Sequence, residues 1–256
     1  MAGHRVFPAF LGFILGLAID QTAPLGAQAP DAQAVVAAAR QALGGEQRLA
    51  AVTSFTITGR TRQLRGNNLV PIEFEINCEL PNRFVRRDEF PAQDTDTTVA
   101  GFAGDQLILY PAAPARAGGP PPEAAAQQRL ATAKQDFARL MLGVFAASFP
   151  SYPLTFKYLA EGDAPEGKAD ILDVAGPANF SARLVVQRDT HLPVMLMWQQ
   201  QNMEHRLYYA EFRDVNGTKW PFRIRHAVAG MTIEETTFDR IRVNVKIDAK
   251  KFEVPK

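Results

Sequence analysis

The side chains able to make or break bonds are few and scattered. The chain has four histidines and one cysteine, and beyond the first thirty residues the histidines are His191, His205 and His226. His191 falls in Arg188-Asp189-Thr190-His191, which reads as a turn, while His205 and His226 stand far apart in sequence. A zinc-type centre needs three or four converging nitrogen, sulfur or carboxylate ligands, and no spacing here supplies them, so a metal site is the less favoured reading. Glu234 and Glu235 are neighbours in a strand-like run and therefore face opposite sides, which disfavours a carboxylate pair. The chain contains no His-Glu-x-x-His, no paired Cys-x-x-Cys, no Gly-x-Ser-x-Gly and no phosphate-cradling glycine loop. Catalytic chemistry is not expected, and neither is a cofactor.

Other polar features read as structure. Cys78 has no partner for an internal disulfide and lies in an apolar stretch, so it is expected as a buried thiol. Arg60, Arg62 and Arg65 form a basic group near the first hairpin that is expected as a solvated face. Asn179-Phe180-Ser181 and Asn216-Gly217-Thr218 match a glycosylation pattern, but both read better as turns. The 28 basic and 27 acidic side chains leave no net field to hold nucleic acid.

The elements that must position these groups follow from patterning. Residues 1–29 look like a secretory signal peptide: His4 and Arg5, an apolar run over 6–19, then small residues ending in Ala27-Gln28-Ala29, with cleavage after Ala27 or Ala29. The apolar run is well short of the roughly 20 residues a spanning helix requires, so no permanent membrane span is expected. Residues 30–256 are expected as a single β-rich domain. An alanine-rich helix is predicted over 31–43, ending at Gly44-Gly45, with a short second turn through Leu49. From Thr53 the texture becomes alternating, and strands are predicted from there through Arg60 and at 69–79, 82–90, 95–102 and 106–110. A Pro/Gly-rich loop and helical insertion occupy about 111–150, with the helix over 123–147. Strands resume at 157–161, 169–175, 182–187, 194–199, 206–213, 219–228 and 231–243, with Asn216-Gly217 as the clearest hairpin turn.

Strands that follow one another with brief turns pair antiparallel. A sheet of about eleven of them is too wide to stay flat. The expected fold is therefore mainly β with helices (α+β): an open, strongly curved antiparallel sheet, a half-barrel, with a helical lid over its concave side. The candidate lining of the space beneath the lid is Phe55, Ile57, Phe74, Phe84, Leu107, Leu109, Leu130, Phe137, Met141, Met195, Met197, Leu207, Tyr209, Trp220, Phe222, Ile224 and Phe238. These are large apolar side chains, each worth about 1.5–3 kcal/mol when buried.

Several segments resemble the LolA-like superfamily of periplasmic lipoprotein and lipid carriers. Leu49-Ala50-Ala51-Val52-Thr53-Ser54-Phe55 is similar to the family's entry into its first strand, and Leu80-Pro81-Asn82-Arg83-Phe84 to its proline-asparagine turn. The run from Gly104 to Pro111 resembles the strand before the family's helical insertion. Asp189-Thr190-His191-Leu192-Pro193-Val194 and the closing segment from Val245 to Pro255 are also similar. The resemblance implies a curved sheet holding acyl chains under helices, with lipid or lipoprotein acyl chains and envelope transport proteins as partners and the periplasm as location. One position departs from the pattern: where the lipoprotein chaperones of the family carry an arginine before the turn, this chain has Leu80, with Arg83, Arg86 and Arg87 nearby. The expected function is a carrier or binding protein that shelters acyl chains. The alternative is an envelope sensor or scaffold on the same fold, and a lipid-hydrolysing enzyme ranks third, requiring a histidine and a carboxylate to meet inside.

Overall fold

The computed structural model describes residues 31–91, 97–112 and 119–255. The expected signal peptide, the start of the strand expected at 95–102 and residues 113–118 of the Pro/Gly-rich loop lie outside the described residues.

The chain opens on α1 (Ala32–Ala42), whose first turn is capped by the Asp31 carboxylate accepting from the Gln33 amide at 3.3 Å. Its buried residues, Ala32, Val35, Val36 and Ala39, make one helical stripe. Gly44 and Gly45 turn the chain with positive φ into the short α2 (Glu46–Ala50). Five strands follow: β1 (Ser54–Arg65), β2 (Asn68–Glu79), β3 (Arg83–Glu89), β4 (Thr98–Ala103) and β5 (Gln106–Tyr110). After α3 (Pro122–Phe145) come seven more: β6 (Thr155–Ala164), β7 (Gly167–Gly176), β8 (Phe180–Gln187), β9 (Pro193–Gln200), β10 (Met203–Val215), β11 (Thr218–Val228) and β12 (Met231–Val243). A 3-10 turn, Ala249–Phe252, follows β12.

The twelve strands among the described residues join one antiparallel sheet in the order β5-β4-β3-β2-β1-β12-β11-β10-β9-β8-β7-β6. Each half is a meander, as the brief turns require, and the first and last strands meet as the seam between the halves. The outermost strands β5 and β6 do not pair with each other, so the sheet is open, and α3 is the link that carries the chain between them. The curved α+β sheet expected from sequence is observed, with twelve strands in place of about eleven.

Alternation gives the sheet two different faces. The inner face and the helices form the main core, in which aromatic rings meet in succession: Phe55 with Trp220 at 5.1 Å between centroids, Trp220 with Phe145 at 5.4 Å, and Phe137 with Phe102 at 5.5 Å and with Phe84 at 5.6 Å. Edge-on geometries of this kind add to the area term. On the outer face, Phe252 and Ile247 cover Val85, Val99 and Ile108 behind β3–β5. A third, small cluster holds Ala169, Val185 and Met195.

Helix α3 lies over the inner face and is fastened at several points. Tyr209 donates its hydroxyl hydrogen bond to the Arg139 carbonyl at 2.8 Å, Lys134 meets Asp105 at 2.7 Å, Gln135 donates to the Ala178 carbonyl at 3.0 Å, and Arg40 of α1 donates to the Phe145 carbonyl at 2.9 Å. Gly143 lets the helix press on the Tyr209 ring, where a Cβ would stand 2.3 Å from Cε1. Among the described residues no helix is long and apolar enough to cross a membrane.

Candidate functional site: a cleft beneath the long helix

The inner face is not filled throughout. Between α3 and the middle strands is a cleft of about 340 Å³. Its walls are apolar where Ile76, Phe84, Ala100, Leu140, Leu207, Ile224 and Phe238 meet, and polar where Arg86, Asp136, Arg139, His226, Glu234 and Thr236 project. The strand ladder explains the convergence. Arg86 is opposite Ile76 across the β2–β3 pair, Thr236 is opposite Ile224 and Thr61, and Glu234 is opposite His226 and Gln63. Residues from five neighbouring strands, β3, β2, β1, β12 and β11, therefore rise on one side of the sheet, while Asp136 and Arg139 come down from α3.

The polar end is a hydrogen-bonded network. Arg86 donates to Asp88 at 2.7 Å and to the Thr61 hydroxyl at 3.3 Å, and its guanidinium lies 4.6 Å from the Phe74 ring centre. The hydroxyls of Thr61 and Thr236 are 2.8 Å apart, and Gln63 donates to Glu234 at 2.9 Å. Asp136 pairs with Arg139 one helical turn on, at 2.7 Å. Arg139 also lies over Trp198, 4.6 Å from the ring centre. Trp198 in turn stacks with His205 at 5.0 Å and His226 at 5.5 Å, and the two imidazoles share a hydrogen bond of 3.0 Å.

These surroundings shift the titrating groups. Burial, then the Arg139 charge, holds His205 below the usual imidazole value. His226 is lowered by burial and by its two cationic or imidazole neighbours, against the opposing pull of Glu234. At Asp136, which lines the cleft, desolvation by the surrounding protein raises the carboxyl, and Arg139 acts in the other direction. Burial also pushes the Tyr209 hydroxyl up.

Of the residues predicted from sequence to line a cavity, Phe84, Leu207, Tyr209, Ile224 and Phe238 line this cleft. Phe55, Ile57, Phe74, Leu130, Phe137, Met141, Trp220 and Phe222 are buried in the adjoining core, and Leu107 packs against it. Leu109 is half-buried opposite Ala100. Met195 and Met197 do not join them: Met195 is in the third cluster with Met197 packed against it, and Leu196 and Trp198 take the inner positions. The run Pro193-Val194-Met195-Leu196-Met197-Trp198 has no polar residue to mark a face, so the sequence leaves its alternation undecided. Cys78 is buried, as expected. Glu235 points away from Glu234, to the other face, where it pairs with Arg223.

Sequence reasoning passed over Arg86, Asp136, Arg139, Trp198, His226 and Glu234 as cleft residues. One signal was present. Counting outward from the Asn216-Gly217 hairpin, where Val215 faces Thr218, puts His205 opposite Val228 and His226 opposite Leu207, which makes the two histidines diagonal neighbours on one face. A histidine and a carboxylate do meet across strands here, as His226 and Glu234, but the hydrogen bonds of each go elsewhere: His226 to His205, and Glu234 to Gln63 and Thr236. Among the described residues no group of three or more His, Cys, Asp or Glu side chains is placed to hold a metal ion. The arrangement is suited to holding an amphiphile: apolar walls, a wet polar end and a covering helix.

No family model matches the sequence, and no curated protein does. Solved structures do. A LolA superfamily protein from Nitrosomonas europaea aligns with a TM-score of 0.56 over 88% of this chain and 98% of its own, at 14% identity. A domain assigned as an outer membrane lipoprotein-sorting protein, from Vibrio parahaemolyticus, aligns with a TM-score of 0.52 over 85% of this chain and 94% of its own, at 10% identity. A DUF1329 family protein from Desulfovibrio piger gives 0.51 over 87% and 97%, also at 10% identity. The open twelve-stranded sheet with its covering helix is a LolA-like fold.

Proposed function

We propose that this chain is an exported carrier or binding protein of the periplasm that shelters an acyl chain of a lipid or lipoprotein beneath α3. The observation that carries the reading is the cleft itself, about 340 Å³ in volume with apolar walls and a helix as its cover. That volume is at the low end of ligand sites, which run from roughly 300 to 1,000 Å³, and it suits one tail better than several. Binding would be driven by removing apolar surface from water and not by bond formation. The sorting role assigned to the Vibrio parahaemolyticus domain is consistent with such a task. Leu80 replaces the arginine of the lipoprotein chaperones, and Arg86, on the inner face of β3, lines the cleft with its charge already paired to Asp88.

The test is to purify the protein from an envelope fraction, extract it with organic solvent and weigh the extract by mass spectrometry. Acyl lipid in stoichiometric yield is expected, together with uptake of the neutral dye N-phenylnaphthylamine by the emptied protein. An empty extract and no dye uptake would remove the carrier reading. A second reading, a scaffold or sensor on the same fold, draws support from the other half of the concave face, which the chain fills with its own Phe55, Phe137, Phe145 and Trp220. Empty extracts accompanied by capture of an envelope protein would favour it.

A further inference from the structure

Resting on the carrier reading, we infer that the polar end of the cleft recognises an uncharged, hydrogen-bonding head group, of the hydroxyl, ester or amide class, and discriminates against amphiphiles whose heads carry a negative charge. Each cationic side chain in the cleft already has an acidic partner, Arg139 with Asp136 and Arg86 with Asp88, while Glu234 is bonded only to neutral groups, the amide of Gln63 and the hydroxyl of Thr236. An arriving carboxylate or phosphate would gain Arg86 or Arg139 only by sharing it with a resident carboxylate, and would face Glu234 as well. That anion would lose its hydration without a free counter-charge, the costly outcome for a buried charge.

What the cleft leaves open is neutral hydrogen-bonding capacity. Two buried atoms in the Trp198 cluster have no hydrogen-bond partner among the described residues: Nε of the lining residue Arg139, which is a donor, and Nε2 of His205, which packs against the lining side chains Trp198 and His226. Buried polar atoms without partners are rare in folded proteins and mark places where something else is held. Burial keeps both imidazoles neutral near neutral pH, so the pair adds no cation. The role of His205 Nε2 depends on which ring donates across the His205–His226 bond. A hydroxyl both donates and accepts, so it satisfies either tautomer and the Arg139 donor alike, which a carboxylate does not. Trp198, with Arg139 over its ring and His205 stacked on it, holds these groups at the polar end while Ile76 and Phe84 face the tail.

The test uses three ligands with one tail: dodecanol, laurate and dodecane. Each displaces N-phenylnaphthylamine from the delipidated full chain above neutral pH, where laurate is ionised. Dodecanol is expected to bind about fivefold or more tighter than dodecane, the gain of one or two net hydrogen bonds, and laurate no tighter than dodecane. His205→Phe, which keeps a ring against Trp198, and Arg139→Lys, which keeps the charge but loses Nε–H, are each expected to bring the ratio of dodecanol to dodecane affinity close to one. Laurate binding as tightly as dodecanol would overturn the inference, as would variants that retain the dodecanol preference. Equal binding of all three would overturn the head-group inference while leaving the carrier reading standing. Binding of none would remove both.

Discussion

Trp198 shows how a single side chain gathers a site. Its indole is the surface on which Arg139 from α3 and His205 and His226 from two strands meet, so a change in the charge of either imidazole is felt by the covering helix. Both histidines are held below 6.5, first by burial. A folded-state value below the unfolded one means that the unfolded chain binds more protons, so their contribution to stability is complete above pH 6.5 and is lost as pH falls through the lowered values. Urea midpoints are therefore expected to fall between neutral and mildly acidic pH, and the double substitution His205→Phe with His226→Leu should flatten that slope. Asp136 works in the opposite sense. Its carboxyl is raised above 3.8, so its contribution is present at low pH and lost as pH rises through its folded value, and it remains in both proteins as a common background. Cys78, buried and with its thiol pushed up by desolvation, is expected to resist a thiol reagent in the native chain and to react at the rate of unfolding in urea. Rapid labelling of native protein would show instead that β2 opens on its own.

At the scale of elements, α3 sits where it does because Gly143 allows it. An alanine there gains about 1 kcal/mol of helix propensity, but its Cβ meets the Tyr209 ring at 2.3 Å. The helix must then lift from β10 or the ring must move, and overpacking of this kind costs about 1–3 kcal/mol. Gly143→Ala is expected to lower the urea midpoint and to raise uptake of N-phenylnaphthylamine by loosening the cover. Much of this architecture was readable before the fold was known. The stripe of Val35, Val36 and Ala39, the alternation of Phe55 and Ile57, and the positive φ demanded by Asn216-Gly217 are local signals that the structure repeats. The cleft was less readable because it depends on pairing across the sheet. Arg86 and Glu234 look like surface charges in their own strands, and only the register with β2, β11 and β1 turns them inward together. The Met195 and Met197 placement failed for a related reason: the β8–β9 ladder shifts register between Val185 and Val186, and an all-apolar strand gives no internal mark of its face.

For the whole molecule, the inner face is divided between a packed half and a hollow half, and Phe137 stands at the division. It touches Phe102 and Phe149 on the filled side and Phe84, a wall of the cleft, on the other. Phe137→Ala should cost about 3–5 kcal/mol and join new space to the cleft. If the hollow sets ligand length, the variant will prefer longer alcohols than the native chain in the dye-displacement series. An unchanged length preference would mean that the tail leaves the cleft by another route. A last consequence follows from the place where β1 and β12 pair. The strand made first completes its bonding only with the strand made last, so neither meander has a finished neighbour until nearly the whole polypeptide is present. Such a molecule cannot mature piece by piece from its amino end. Closure waits on one far-separated contact, the kind that slows assembly, and removing the residues after β11 should leave two unsealed halves, prone to stick to one another, in place of a smaller working protein.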